Sequence, residues 1–231
     1  DDRAQTYLYN ALFYLFSSAH PACRTSIPPF GLSHIHYNGH IFWDTDTYET
    51  PVLALVSPET AKATVDYRLR CLEAAKTRAA YYGFGGAMYP WESDTKGFES
   101  TPSHCSTGWL EQHINPCVAF AAWQYQQAAG DGEYAVSTTW PIVKAVAQWI
   151  EGRVEKTERG YEIRAVVGSD EGAVRNNSSY TNGLCAEVLR IACRCAEMIG
   201  RSPNPKWAEI ADAMLIPTGP APGAEGDIVY L

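Results

Sequence analysis

Apolar residues recur along the chain at spacings of three and four, the period of helices that each bury one face. Ala4, Leu8, Ala11, Leu12 and Leu15 fall on one side of a first helix. Ser57 and Pro58 read as the N-cap and first position of a second, with Val65, Leu69 and Leu72 turned inward. Asp66, four residues before Arg70, is placed to pair with it on the outer face. Trp140, Val143, Ala147 and Ile150 mark another stripe, and Leu184, Val188, Ile191, Cys195 and Met198 predict a single buried seam. Residues 114–129 and 205–214 add two further helical stretches. Strand signals are sparse, the best being Tyr161 to Val167.

Three long segments, 20–43, 82–112 and 155–180, interrupt the helical pattern. Loops of that length in a helical domain are either functional or disordered, and these carry Trp, Tyr, Gly and carboxylates rather than flexible filler. The alternation of helix, long loop, helix and short loop predicts stacked helical hairpins with one decorated end, where a site would lie. From Ile216 to Gly223 the sequence turns rich in Pro and Gly, so residues 216–231 read as a divergent tail or linker.

Composition narrows the partners. Among 231 residues, 18 Lys and Arg against 26 Asp and Glu give a net charge of -8. That balance argues against a nucleic-acid binder, which needs a basic stripe. No apolar run approaches a membrane span; Val52 to Val56 is far too short. No secretory signal opens the chain, and the first residue, Asp1, leaves open a removed leader or a fragment. Seven cysteines cannot all pair, and none stands in a CxxC spacing, which points to buried reduced thiols and a cytoplasmic setting. The six histidines form no HxxxH or HExxH site; His34, His36 and His40 cluster, but no metal or cofactor is implied.

Three loop constellations carry candidate chemistry. In the run from Gly39 to Asp46, Trp43 offers a platform for the C–H face of a sugar and Asp44 a carboxylate to bridge its hydroxyls; alternatively Asp44 caps a helix running from Thr45 to Val56. From Gly85 to Ser93, paired glycines precede Trp91 and Glu92, which repeat the aromatic-plus-carboxylate pairing; the alternative is an ordinary turn around a half-buried Trp. Third come Asp170 and Glu171, followed by the amide- and hydroxyl-rich run Asn176 to Asn182. That surface suits a polyhydroxylated ligand, although Thr181 or Asn182 could cap the helix carrying Leu184. No phosphate-binding glycine loop, GxSxG elbow or Cys/His pair at nucleophile spacing is present, so carboxylate acid/base chemistry leads. A carboxylic acid walled by tryptophans would have its pKa raised toward the range an acid catalyst needs.

Together these loops resemble glycoside hydrolase family 65, which covers acid trehalases, maltose and kojibiose phosphorylases and the collagen-disaccharide glucosidase. Gly-His-x-Phe-Trp-Asp is matched by Gly39 to Asp44, and Gly-Ala-x-(Tyr/Phe)-x-Trp-Glu-Ser by Gly86 to Ser93. Glu-x-His-(Ile/Val)-Asn is matched by Glu111, His113, Ile114 and Asn115. Asp170-Glu171 and Asn176 to Asn182 supply the fourth motif, in wording nearest the collagen-disaccharide glucosidase.

The resemblance implies an all-α fold, part of an (α/α)6 toroid built of helical hairpins, with residues 1–231 forming a partial catalytic domain. It implies Glu171 as general acid. For substrate binding it implies Trp43, Asp44, Trp91, Glu92, His113, Asn115, Asp170, Asn177, Tyr180 and Asn182. The expected activity is inverting cleavage of an α-linked glucose disaccharide or glucosylated glycan, leaning to hydrolysis. The alternatives are a phosphorylase giving β-glucose 1-phosphate and a carbohydrate-binding remnant without a base. Two departures stand out. Gly172-Ala173 replaces the family's Tyr-His after Asp-Glu in a loop one residue shorter, which bears on the leaving-group side. The family's base glutamate and phosphate loop also fall beyond the matched stretch. A second chain or a C-terminal half is therefore expected to complete the barrel over exposed apolar faces such as the Leu184 seam.

Overall fold

A computed structural model describes residues 1–220 and 227–229. Among the described residues ten α-helices carry the architecture: α1 (Asp2–Ser18), α2 (Thr50–Val56), α3 (Pro58–Arg70), α4 (Leu72–Tyr81), α5 (Thr107–Leu110), α6 (Ile114–Ala129), α7 (Gly132–Tyr134), α8 (Trp140–Arg153), α9 (Ser179–Met198) and α10 (Pro205–Asp212). They form antiparallel hairpins in an all-α arrangement that is part of an (α/α)6 toroid. At its centre α6 packs on α2, α3, α8 and α9, and α9 packs on α8 and α10. Two small hairpins complete the described elements, β1 (Glu155–Thr157) with β2 (Gly160–Glu162), whose Tyr161 is buried in the core, and β3 (Thr218–Pro220) with β4 (Asp227–Val229).

Two helices open in the same unusual way. Wide i→i−5 turns over Thr45–Glu49 and Ala135–Thr139 lead into α2 and α8, and the N–H groups of Thr50 and Trp140 bond back to the carbonyls of Thr45 and Ala135. In each case a proline follows at once, Pro51 or Pro141. A proline lacks an N–H and its ring collides with the carbonyl four residues back, so a wide turn just upstream relieves both problems.

The predicted stripes of α8 and α9 are buried: Trp140, Val143, Ala147, Ile150, Val188, Ile191 and Cys195 all lie in the core. The Leu184 seam is therefore not the exposed face expected of it, because α8 and α10 cover most of it, leaving Leu184 half-buried and Met198 exposed. Open apolar surface lies elsewhere. No residue of α1 is buried, only Leu12 and Leu15 of its predicted face are half-covered, and Tyr7, Leu8, Phe13 and Tyr14 face solvent. On α2 and the turn before it, Tyr48, Val52, Leu55 and Val56 form a second exposed strip.

Local pairings also differ from expectation. Asp66 bonds Lys62 at 2.7 Å and the Tyr134 hydroxyl at 2.9 Å, while Arg70 reaches the Arg24 carbonyl instead. The expected strand from Tyr161 to Val167 is cut short at Glu162, since Ala165 takes a left-handed φ of +54° that no strand tolerates. In the tail, the Pro217 carbonyl accepts from Ser179, and just before it the Leu215 carbonyl accepts from Asn182; residues 221–226 and 230–231 lie outside the described residues. All seven cysteines are free thiols, and no described helix is long and apolar enough to cross a membrane.

Two features fix the loops on the core. Gly86, at φ +74°, presses so closely on α8 that a Cβ there would stand 2.2 Å from the Ala145 carbonyl oxygen and 2.4 Å from the Trp149 nitrogen. Deeper down, the guanidinium of Arg68 on α3 grips Asp46 through Nε at 3.1 Å and Nη2 at 2.5 Å, and also donates to the Phe42 carbonyl at 2.9 Å. Both side chains are buried. Removing one partner leaves an uncompensated buried charge, so Asp46→Ala is expected to destabilise the fold by about 3–5 kcal/mol. The double change Asp46→Leu with Arg68→Met is expected to destabilise it far less. Urea unfolding of both variants checks this, and equal losses would contradict it.

Candidate active site

The first two motif loops are sewn together by backbone. Ile41 and Ser93 exchange both hydrogen bonds, at 2.9 and 2.8 Å, which brings Trp43 and Asp44 beside Trp91 and Glu92. Asp44 does not cap the helix that follows: its backbone is already helical, and its side chain makes no capping bond. Its carboxyl is instead half-buried, and that burial raises its pKa. Trp91 is buried rather than half-buried, with its ring edge-on to Phe42 at 4.8 Å. The carboxylate of Glu99, a residue whose role the sequence did not disclose, accepts from the backbone N–H groups of Trp91 at 3.0 Å and Glu92 at 3.2 Å. Arg78 anchors Glu99 at 2.8 Å. The Glu92 carboxylate is itself engaged, 2.6 Å from His40 Nδ1.

The short connection from α5 to α6 supplies the next wall. His113 is fully buried, and its ring stands edge-on to Trp43 at 4.7 Å and to Tyr180 at 5.4 Å. Trp43 and Tyr180 lie 6.2 Å apart, so three motifs contribute one aromatic surface. Asn115 uses its Oδ1 to accept from the Tyr89 N–H at 2.5 Å, fixing the glycine loop against α6.

The third loop folds back on itself through Val166 and Arg175, and the Val167 N–H donates to the Leu110 carbonyl at 2.9 Å. At its tip Asp170 pairs with Arg175 at 2.8 Å, and Glu171, exposed, adopts a left-handed φ of +51°. Asn177 and Asn182 sit within the wall. The Asn177 amide donates to Glu162 at 2.8 Å and its carbonyl accepts from Ile163 N and from Asn182 Nδ2, while Asn182 also donates to Leu215. Neither Thr181 nor Asn182 caps α9; Ser178 does, accepting from the Thr181 N–H, and the other two lie inside the first turn. Beside the loop a cavity of about 450 Å³ is lined by Asp170, Arg175, Asn176, Ser178 and Tyr180.

The charges converge on a residue left out of the candidate set. Glu111 is buried, and its pKa is pushed up to about 8, first by burial and then by the negative charges of Glu171, Asp170 and Asp44. The apolar-walled carboxyl expected of an acid is thus Glu111, while Glu171 stands in the open. His113 lies 3.8 Å from Glu111, and burial lowers its pKa to about 4, so the ring is neutral. The signal for Glu111 was present in the sequence: its two-residue spacing from His113 on a non-helical stretch. Among the described residues no group of three His, Cys, Asp or Glu could hold a metal; His34 and His36 pack on Phe30 and His40 serves Glu92.

Comparison with known proteins gives one family. The model of the glycosyl hydrolase family 65 central catalytic domain matches residues 9–220. A kojibiose hydrolase from Flavobacterium johnsoniae is 43% identical over 94% of this chain, and a protein-glucosylgalactosylhydroxylysine glucosidase from Dictyostelium discoideum 33% over 94%. A kojibiose phosphorylase from Caldanaerobacter subterraneus is 37% identical over 79% of this chain and 25% of its own. The chain covers 32% of the hydrolase and of the glucosidase, so it spans about a third of the length of these curated relatives. A solved human-microbiome structure described as a kojibiose phosphorylase shares the fold, with a TM-score of 0.78 and 22% identity over 89% of this chain and 32% of that one.

The neutral His113 gives the fold a testable pH dependence. An unfolded histidine takes up its proton near pH 6.5, whereas the folded one resists to about 4. Its contribution is therefore complete above pH 6.5 and is lost as pH falls toward 4. Relative to His113→Phe, the parent should lose about 3 kcal/mol of stability between pH 7 and 4. Urea unfolding of both proteins across that range measures it, and parallel curves would contradict the assignment.

Proposed function

The chain belongs to glycosyl hydrolase family 65, and from that membership we propose that it forms part of an enzyme cleaving an α-linked glucose disaccharide or glucosylated glycan by inverting hydrolysis. The observation that carries this reading is a cluster of carboxyls, Asp44, Asp170 and Glu171 around Glu111, beside the aromatic surface of Trp43, His113 and Tyr180. The lean to hydrolysis is supported by the 43% identity to a kojibiose hydrolase.

In this reading the C–H face of the non-reducing glucose lies against Trp43, and Asp44 accepts from its hydroxyls. Glu171 gives its proton to the glycosidic oxygen as the bond to the anomeric carbon breaks. A water attacks from the opposite face and loses its proton to a second carboxylate. Inversion needs that base about 6.5–9.5 Å from the acid, with room for the water between. We place the base in the two thirds of the relatives' length that this chain does not span. The same portion would cover the open faces of α1 and α2 and would close over Glu171, removing it from water.

The 37% identity to a kojibiose phosphorylase supports a second reading, in which phosphate replaces water as the attacking group. Proton NMR with kojibiose and with trehalose, with and without phosphate, separates the readings. β-Glucose marks hydrolysis, β-glucose 1-phosphate marks phosphorolysis, and binding without product marks a remnant that has lost its base. Glu171→Gln is expected to lower kcat by roughly 10²–10⁴-fold and to leave glucose affinity unchanged, because it removes the proton and keeps the shape. Unaltered turnover in that variant would remove Glu171 from the acid role.

A further inference from the structure

Several buried polar atoms at the α5–α6 connection have no hydrogen-bond partner among the described residues. They are both carboxyl oxygens of Glu111, both ring nitrogens of His113, Nδ2 of Asn115 and, on the neighbouring glycine loop, the indole nitrogen of Trp91, which faces the Glu111 carboxyl and opposes the rise in its pKa but falls short of hydrogen-bond geometry. Leaving such groups unmet costs about 1–3 kcal/mol each, so a concentration of them in one wall is the imprint of something that satisfies them. Glu111 is the most demanding. It is 4% exposed, and the groups facing it offer no cation: Asp44 ahead of α2, Asp170 and Glu171 from the third loop, the neutral His113 at 3.8 Å, and the Trp91 indole. A carboxylate shut away from water among other carboxylates discharges by keeping its proton.

We propose that Glu111 is a sugar-binding residue that meets the glucose as a neutral carboxylic acid and donates a hydrogen bond to one of its hydroxyls. This deepens the cleavage reading and rests on it for the identity of the sugar. A neutral carboxyl both donates and accepts, whereas a carboxylate only accepts. The neutral form therefore suits a hydroxyl that must also give its own proton to a carboxylate such as Asp44. It also keeps a further negative charge away from Glu171 while that residue handles a proton. The carboxyl holds its proton to about pH 8, so the donor is present throughout the neutral range.

Glucose binding to the full-length protein, followed by calorimetry from about pH 6 to 9.5, tests this. Parent affinity should be flat to about pH 8 and then fall about tenfold per pH unit, as the competent form is depleted. Glu111→Gln, whose amide still donates, should bind within a few-fold of the parent at pH 7 and show no alkaline fall. A flat parent profile, or an equal alkaline fall in Glu111→Gln, would overturn the proposal. Should that variant misfold, 13C NMR of the parent's glutamate carboxyls gives the answer directly. A resonance titrating near pH 8 whose midpoint rises on adding glucose supports the assignment, and no carboxyl titrating above about pH 6, or a midpoint that glucose leaves unmoved, rejects it. Neither measurement needs turnover, so absence of product from kojibiose would count against the cleavage reading alone.

Discussion

The contact between Asp46 and Arg68 joins the wide turn ahead of α2 to the last turn of α3, and the geometry of the candidate site descends from it. The same guanidinium holds the Phe42 carbonyl, so Trp43 and Asp44 are gripped from both sides, at Phe42 and at Asp46. Phe42 in turn packs on Trp91, and Ile41 pairs with Ser93, so whatever fixes this turn also fixes the second loop. Arg68 is flanked by the rings of Tyr67 and Tyr89, with centroids at 5.5 and 5.9 Å, which keep water away from the pair. A buried ion pair is an uncertain source of stability, but here its bidentate form specifies one orientation of the turn that carries the aromatic platform.

The polar residues of the site divide by what their hydrogen bonds already do. Glu99, Asn115 and Asn177 bind backbone N–H groups of loops that have no ladder of their own, and Glu92 and Asn182 are likewise engaged with the protein. They hold the wall. Glu111, His113 and the Trp91 indole keep buried polar atoms without a hydrogen-bond partner among the described residues. Long irregular loops are thus held by buried side chains in place of secondary structure, while the tip bearing Asp170 and Glu171 stays exposed.

The chain spans about a third of its relatives, and the physical chemistry of the described residues agrees with a part of a larger whole. α9 is enclosed by its own neighbours, whereas α1 and the outer strip of α2 leave aromatic and aliphatic side chains in water. Such faces gain from being covered.

Helix positions were legible in the sequence because burying one face imposes a period that survives in the spacing of Val143, Ala147 and Ile150 or of Val188, Ile191 and Cys195. The loop motifs were legible because Trp beside Asp, and Trp beside Glu, are conspicuous in any order of reading. The same period misled at α1, where Leu8 has the spacing of a core residue and no neighbour to bury it, since spacing reports a face and not what covers it. Only the tertiary structure decided which carboxyl is the buried one. Glu111 and Glu171 are equivalent as letters, and their difference arises from desolvation and from the charges each faces, both set by contacts between residues about sixty positions apart. The sequence alone determined the helical scaffold and the chemistry available to it; the fold decided which of those groups hold the loops together and which keep buried polar atoms without a partner.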